Sequence, residues 1–217
     1  MCARSLDHAA SVICVACAAQ VHPIPSPYCE RCSTPLDGED AVCRVCAGRS
    51  FSFVRARAAV TFDETVQTMI HLLKYRGRRA LGRFLGRVLA EAAVREDWFR
   101  EVDLLVPVPL HRSRARERGY NQSELLARGV ADRADLPLAT RLLTRHQSTR
   151  SQTTLTPAER AANVRGAFRV IAPHTVAGTR IALVDDVFTT GATFDSCAHA
   201  LLDGGAAAVY ALAVARA

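Results

Sequence analysis

Lysine is almost missing from this chain. Of its 28 basic residues 27 are arginine, and Lys74 is the single lysine in 217 residues. Aromatic residues make up only 6%, with one tryptophan, so few rings are evident for stacking against bases. No stretch approaches the roughly 18 uncharged apolar residues of a membrane span. The first residues carry Arg4, Asp7 and His8 without the apolar segment of a secretory signal. Both absences lead us to expect a soluble, cytoplasmic protein. Internal repeats and low-complexity linkers are lacking as well, which excludes repeat architectures.

The length leaves room for one well-packed α/β domain and a small appendage. Cysteines mark the appendage, since seven of eight lie in the first 46 residues. We therefore expect a cysteine-rich segment over 1–50 and a second domain over 51–217. The net charge of +7 is unevenly placed: residues 1–50 hold four arginines against five acids, so the whole excess lies in 51–217. An anionic partner would meet that second domain. Mutational bias in an arginine- and alanine-rich chain is the plainer explanation of the charge.

The run IALVDDVFTTGAT, Ile181 to Thr193, carries the most information. Four apolar residues suit a strand buried on both faces, as central parallel strands are. Asp185 and Asp186 follow, at the carboxyl end where open α/β sheets bind ligands. Ionised carboxylates are acceptors only, so the pair suits the two hydroxyls of a ribose diol. Thr189, Thr190, Gly191, Ala192 and Thr193 then lead into a helix with the apolar stripe Phe194, Cys197, Ala198, Leu201 and Leu202. Hydroxyls, free backbone N–H groups and the positive end of the helix dipole converge there, and a glycine lets the backbone come close, an arrangement that suits a phosphate dianion. The stretch resembles the phosphoribosyl pyrophosphate (PRPP) signature of type I phosphoribosyltransferases.

Besides Cys2, the early cysteines form three C-x-x-C pairs, Cys14/Cys17, Cys29/Cys32 and Cys43/Cys46. Thiolates two residues apart on a tight knuckle can grip one tetrahedral zinc, and two knuckles complete its ligands. CERC and CRVC make one complete structural site of this kind. The first pair finds only Cys2 nearby. Its fourth ligand is either a histidine such as His8 or His22 or a cysteine upstream of Met1, and the motif-like run after Met1 favours the latter.

Elsewhere, Phe51 to Phe62 contains a strand, and helical spacing runs Val66, Met69, Ile70, Leu73, breaks at Gly77 and resumes from Leu81 to Leu89. Lys74, in that break, is either placed near a phosphate or is the solvated end of the helix. Leu104 to Val106 reads as a buried strand, followed by a loop with Arg112, Arg114, Arg116 and Arg118 ahead of a helix at Leu125, Leu126 and Val130. Guanidinium groups there suit a pyrophosphate and its magnesium, or a nucleic-acid backbone. The hydroxyl-rich segment from Leu142 to Phe168 is long enough to be a mobile lid, with a capping box at Thr156, Pro157 and Glu159 opening a short helix that carries Arg160 and Asn163. A final strand covers Ala207 to Val214.

The cysteine pairs, LKYRG at Leu73–Gly77, VPVPLHR at Val106–Arg112, RGYNQ at Arg118–Gln122, the run RSQTTLTPAERAANVRGAF and the PRPP signature together resemble the ComF family over essentially the whole chain. The resemblance implies a type I phosphoribosyltransferase-like fold, a Rossmann-like parallel sheet flanked by helices, with an N-terminal zinc ribbon. It also implies a role in handling transforming single-stranded DNA at or inside the cytoplasmic membrane, beside a ComFA-type helicase and DprA. Three functions are compatible: a magnesium-assisted phosphoribosyltransferase of nucleotide salvage, in which Asp185 and Asp186 orient the ribose; a non-catalytic module that grips DNA; and a scaffold for competence proteins. The expectation is a PRPP-binding protein of DNA uptake. Transfer itself is supported only by fold analogy.

Overall fold

The computed structural model describes residues 13–38, 40–146 and 166–217. Four parallel strands form the centre, in the order β1 (Ala56–Thr61), β6 (Ala208–Arg216), β5 (Arg180–Phe188), β2 (Leu104–Pro107). Both sheet faces are covered, which is why these strands read as nearly continuous apolar runs and not as alternating ones. Ile181 and Leu183 pack into one layer of core; Ala182 and Val184 pack into the other.

Three helices fill the second layer: α3 (Glu64–Tyr75), α4 (Ala80–Ala93) and α6 (Gln122–Ala134). The Asp63 side chain caps α3 by accepting from the Val66 N–H at 2.8 Å, and Val66, Met69, Ile70 and Leu73 form its buried stripe. Helices α4 and α6 cross at glycines. A Cβ on Gly129 would lie 2.8 Å from the Cα of Gly86, and one on Gly86 would lie 2.8 Å from the Leu126 carbonyl oxygen. That close crossing brings the start of α6, with Ser123, to the carboxyl end of β5.

The other face carries α8 (Ala192–Asp203), the part of the cysteine-rich segment with Cys29, Cys32 and Cys46, and a two-stranded antiparallel pair. Two short helices, α1 (Val15–Ala18) and α2 (Arg44–Ala47), belong to the cysteine-rich segment. Its residues Cys29, Cys32 and Cys46 are buried in the same core as Leu183 and Ala211 of the sheet. The segment also closes the open edge of β1. Ile24 N–H donates to the Ala59 carbonyl at 3.0 Å and Ala56 N–H to the Glu30 carbonyl at 2.8 Å. The Ser33 hydroxyl accepts from Ala58 N–H at 2.8 Å and donates to the Ala56 carbonyl at 3.2 Å. An unpaired edge is thereby satisfied along most of its length. At the start of β1, Arg57 lies over the Tyr28 ring, 3.8 Å from its centroid, and pairs with Glu96 at 3.1 Å.

Three expectations change. Strand β5 does not stop before the acids: Val187 and Phe188 pair with Ala215 and Arg216 of β6, so Asp185 and Asp186 lie inside the strand. The four arginines do not form a loop. They make a helix of their own, α5 (Arg112–Arg118), capped by the His111 side chain and stopped by Gly119 at φ +74°. The hydroxyl-rich segment begins and ends as a hairpin, with β3 (Leu143–Arg145) antiparallel to β4 (Phe168–Val170). Its middle, with Thr156, Pro157, Glu159, Arg160 and Asn163, lies outside the described residues, as do Cys2 and His8. A short helix α7 (Pro173–Val176) then leads to β5.

Gly129→Val should destabilise the protein by about 2 kcal/mol in chemical denaturation, because backbone stands where the side chain must go.

Candidate functional site

Strand lengths create the site. Strand β2 ends at the Pro107–Val184 pairing, while β5 runs on to Phe188 beside β6. From Asp185 onward β5 therefore has β6 on one side and no strand partner on the β2 side.

Each acid there is held by a different element. Asp186 is buried and forms an ion pair with Lys74 near the end of α3. Burial opposes the charge on Lys74, but Asp186 first and Asp185 after it outweigh that cost and raise the ammonium above its ordinary pKa. Asp185 accepts from the Ser123 hydroxyl at 2.7 Å and from the Asp186 N–H at 2.9 Å. Burial and the neighbouring Asp186 charge push its carboxyl up to about 7, against the pull of Lys74 and Ser123. The buried Cys197 faces the same charge: burial first, then Asp185, hold its thiol well above the usual range. It stays protonated, which removes it as a nucleophile.

Beyond the acids the chain turns through Thr189 and Thr190 to Gly191, which takes φ +81° and opens α8. A side chain on Gly191 would collide with Phe188, 2.8 Å away, and crowd Phe51 at 3.1 Å. The Arg216 guanidinium at the end of β6 donates to the carbonyls of Phe188 and Thr189 at 3.2 and 3.0 Å. Pinned in this way, the loop places the first turn of α8, with Ala192 and Thr193, at the carboxyl end of the sheet. Thr190 Oγ1 accepts from Ala192 N–H at 3.4 Å. Asp195, in the same turn, is engaged elsewhere, accepting from the Ser52 N–H at 2.6 Å.

Of the four arginines, Arg114 and Arg118, one helical turn apart, join Lys74, Tyr75, Glu117 and Tyr120 around a cleft of ≈ 290 Å³. Arg112 and Arg116 are exposed and do not line it. A larger hollow of ≈ 570 Å³ lies between Phe51 and the outer face of α8, lined by Asp195 and His199 and by neither Asp185 nor Asp186. The smaller cleft is the one that adjoins the acids through Lys74. Sequence reasoning missed Ser123, Arg216 and the half-buried Arg145, whose guanidinium burial pushes below its ordinary pKa, with Arg114 adding to the effect and Asp185 opposing it. An Asn cap at Asn121 with Glu124 three residues on signals the helix start that delivers Ser123; no sequence signal points to the other two.

The sulfurs of Cys29, Cys32, Cys43 and Cys46 lie within 4.8 Å of one another, with Cys32 and Cys43 at 3.7 Å. Tetrahedral zinc with bonds of about 2.3 Å needs sulfurs about 3.8 Å apart, so the four residues fit that ion. The Thr34 hydroxyl sits 3.1 Å from Cys32 Sγ, and although burial opposes ionisation, the Thr34 contacts bring this thiol down to about 7. Cys14 and Cys17 stand apart from the cluster. Cys17 packs into the core on the three-helix face, whereas the buried members of the cluster pack on the other face.

A parallel sheet whose central strand presents two acids and then a glycine-opened helix defines the type I phosphoribosyltransferase-like class. The chain is 28% identical over 220 residues to competence protein F of Haemophilus influenzae, covering 100% of this chain and 95% of that one. It is 31% identical over 200 residues to DNA utilization protein YhgH of Salmonella typhimurium, covering 91% and 87%. With competence protein ComFC of Bacillus subtilis the figures are 28% over 207 residues, 90% and 80%. The chain belongs to the ComF family. No protein-family model matches it. Among solved structures, a glutamine PRPP amidotransferase from B. subtilis complexed with ADP and GMP aligns at a TM-score of 0.42, with 23% identity over 62% of this chain and 26% of that chain.

Two outcomes follow from the site. The folded state holds the Asp185 proton more tightly than the unfolded chain, where the carboxyl titrates near 3.8. Its contribution to stability is therefore greatest below pH about 4, declines up to about 7 and is level above. Asp185→Asn should remove that decline from thermal melts taken between pH 4 and 8. Elemental analysis should find zinc in the purified protein, and chelation or Cys43→Ser should lower the melting midpoint by several degrees.

Proposed function

We propose that this protein binds PRPP at the end of β5 that extends past β2 and serves in the uptake and handling of transforming single-stranded DNA. The placement of Asp185 and Asp186 on a strand that outruns its neighbour, directly ahead of the Gly191-opened helix, carries the reading. The 5-phosphate is received by Thr189, Thr190, Gly191, Ala192 and Thr193, where hydroxyls and first-turn amides meet the helix dipole. The ribose hydroxyls donate to the two carboxylates, and ionised Asp185 is the better acceptor. Lys74, Arg114 and Arg118 offer their charges to the pyrophosphate. A magnesium ion brought in with PRPP would add neutralising charge at the pyrophosphate oxygens.

The competence names of the relatives support the DNA-handling half of the reading, together with a basic excess confined to residues 51–217. A place beside a ComFA-type helicase and DprA, and association with the inner face of the cytoplasmic membrane, belong to the same reading. Zinc, held by Cys29, Cys32, Cys43 and Cys46, is structural in it, because four thiolates leave no open coordination position.

Calorimetric titration of magnesium-PRPP tests the pocket. Binding should be measurable with the intact protein and at least about tenfold weaker in Asp185→Asn, which removes an anionic acceptor and keeps the Lys74–Asp186 pair. Absence of binding to the intact protein at millimolar ligand would refute the reading.

A further inference from the structure

Helix α3 buries Val66, Met69, Ile70 and Leu73, and its last residue, Tyr75, falls outside that stripe. The ring is 60% exposed, the only aromatic among the large exposed apolar side chains of the described residues. It has two close polar companions. The His71 ring lies one turn earlier at 4.9 Å, and the Arg118 guanidinium lies 5.3 Å from the Tyr75 centroid. Beyond it the chain turns at Gly77 with φ +63°, and a Cβ there would meet nothing within 4 Å. Tyr75 and Gly77 line the same cleft, so the ring borders open space there.

The charged residues that line the cleft with this ring are basic apart from Glu117, and of these Lys74 is paired with Asp186 while Arg114 and Arg118 are not in an ion pair with a described residue. Arg114 and Arg118 line the adjoining cleft with Lys74. Arg76 and Arg78 follow Tyr75 and are exposed, and neither makes an ion pair with a described residue. Cations thus lie both in the cleft and past the turn, more than one phosphate group can engage. A polyanion with flat apolar groups at intervals fits, because every base presents a face to an aromatic ring and a guanidinium can stack beside it. A paired duplex would not offer that face.

We propose that Tyr75 is a stacking platform for a base of single-stranded nucleic acid, whose phosphates are held by the arginines of the adjoining cleft and turn. This rests on the reading that the chain handles single-stranded DNA, and it names where the strand lies: alongside Lys74, at the mouth of the proposed pyrophosphate site.

Fluorescence anisotropy at low salt, with a short oligothymidylate and an abasic oligonucleotide of equal length, tests it on the full chain. Tyr75→Ala should weaken oligothymidylate binding about tenfold, Tyr75→Phe should leave it near the original value, and the abasic strand should bind all three proteins alike. An oligothymidylate affinity unchanged in Tyr75→Ala would overturn the platform while leaving DNA binding intact. Equal losses for both strands would also overturn it, since the ring would then be acting on the backbone. Failure of the unaltered protein to bind either strand at low salt would remove the DNA reading itself, and the platform with it. Melting curves of the variants separate these outcomes from loss of fold.

Discussion

Two carboxylates on consecutive residues, Asp185 half-buried and Asp186 buried, cannot hold full charge together without a counter-ion. Lys74 supplies it, and much of the ligand end is arranged to keep it there. Tyr120 donates its hydroxyl to the Leu73 carbonyl, tying the last turn of α3 to the turn ahead of α6. Arg79 lies over the Tyr120 ring at 4.6 Å, and Asn121 donates to the Val108 carbonyl at 3.0 Å where the chain leaves β2. LKYRG and RGYNQ, separated by some forty residues in sequence, are therefore two halves of one clamp. Its product is an ammonium fixed against Asp186 and a hydroxyl fixed against Asp185.

The glycine turn depends on a second chain of contacts that begins in the cysteine-rich segment. Thr34 receives a hydrogen bond from Arg216 at 3.1 Å, and the same guanidinium grips the carbonyls of Phe188 and Thr189. Phe51 and Phe53 stack at 4.7 Å, and Phe53 meets the edge of Phe188, which stacks on Phe194. Ser52 N–H holds Asp195. The turn is thus shaped as much by residues 34–53 as by its own sequence, and the cysteine-rich segment is part of the ligand end rather than an ornament on it.

What could be read in advance was what local chemistry decides. Apolar runs bounded by Gly, Pro and acids became strands, and the stripe from Val66 to Leu73 became α3. The arginine run misled because α5 has no apolar stripe; its helix is set by the His111 cap and the Gly119 stop, which composition hides. The overhang of β5 depends on where β2 ends, a fact of pairing and not of either strand alone. Lys74 stands out in the sequence for its rarity, but its partner Asp186 lies more than a hundred residues away. Ser123 and Arg216 were missed for the same reason: each is an ordinary polar residue until the fold brings its partner to it.

The hydrogen bonds that Ile24, Glu30 and Ser33 make with β1 have one more consequence. Those residues sit on or beside the knuckles, so an ion held by Cys29, Cys32, Cys43 and Cys46 would also keep a cover over the sheet's outer strand. Stripped of that cover, β1 would present bare N–H and C=O groups to a second molecule. Metal supply would then govern not only folding but self-association, making the cysteine-rich segment this protein's own guard against aggregation.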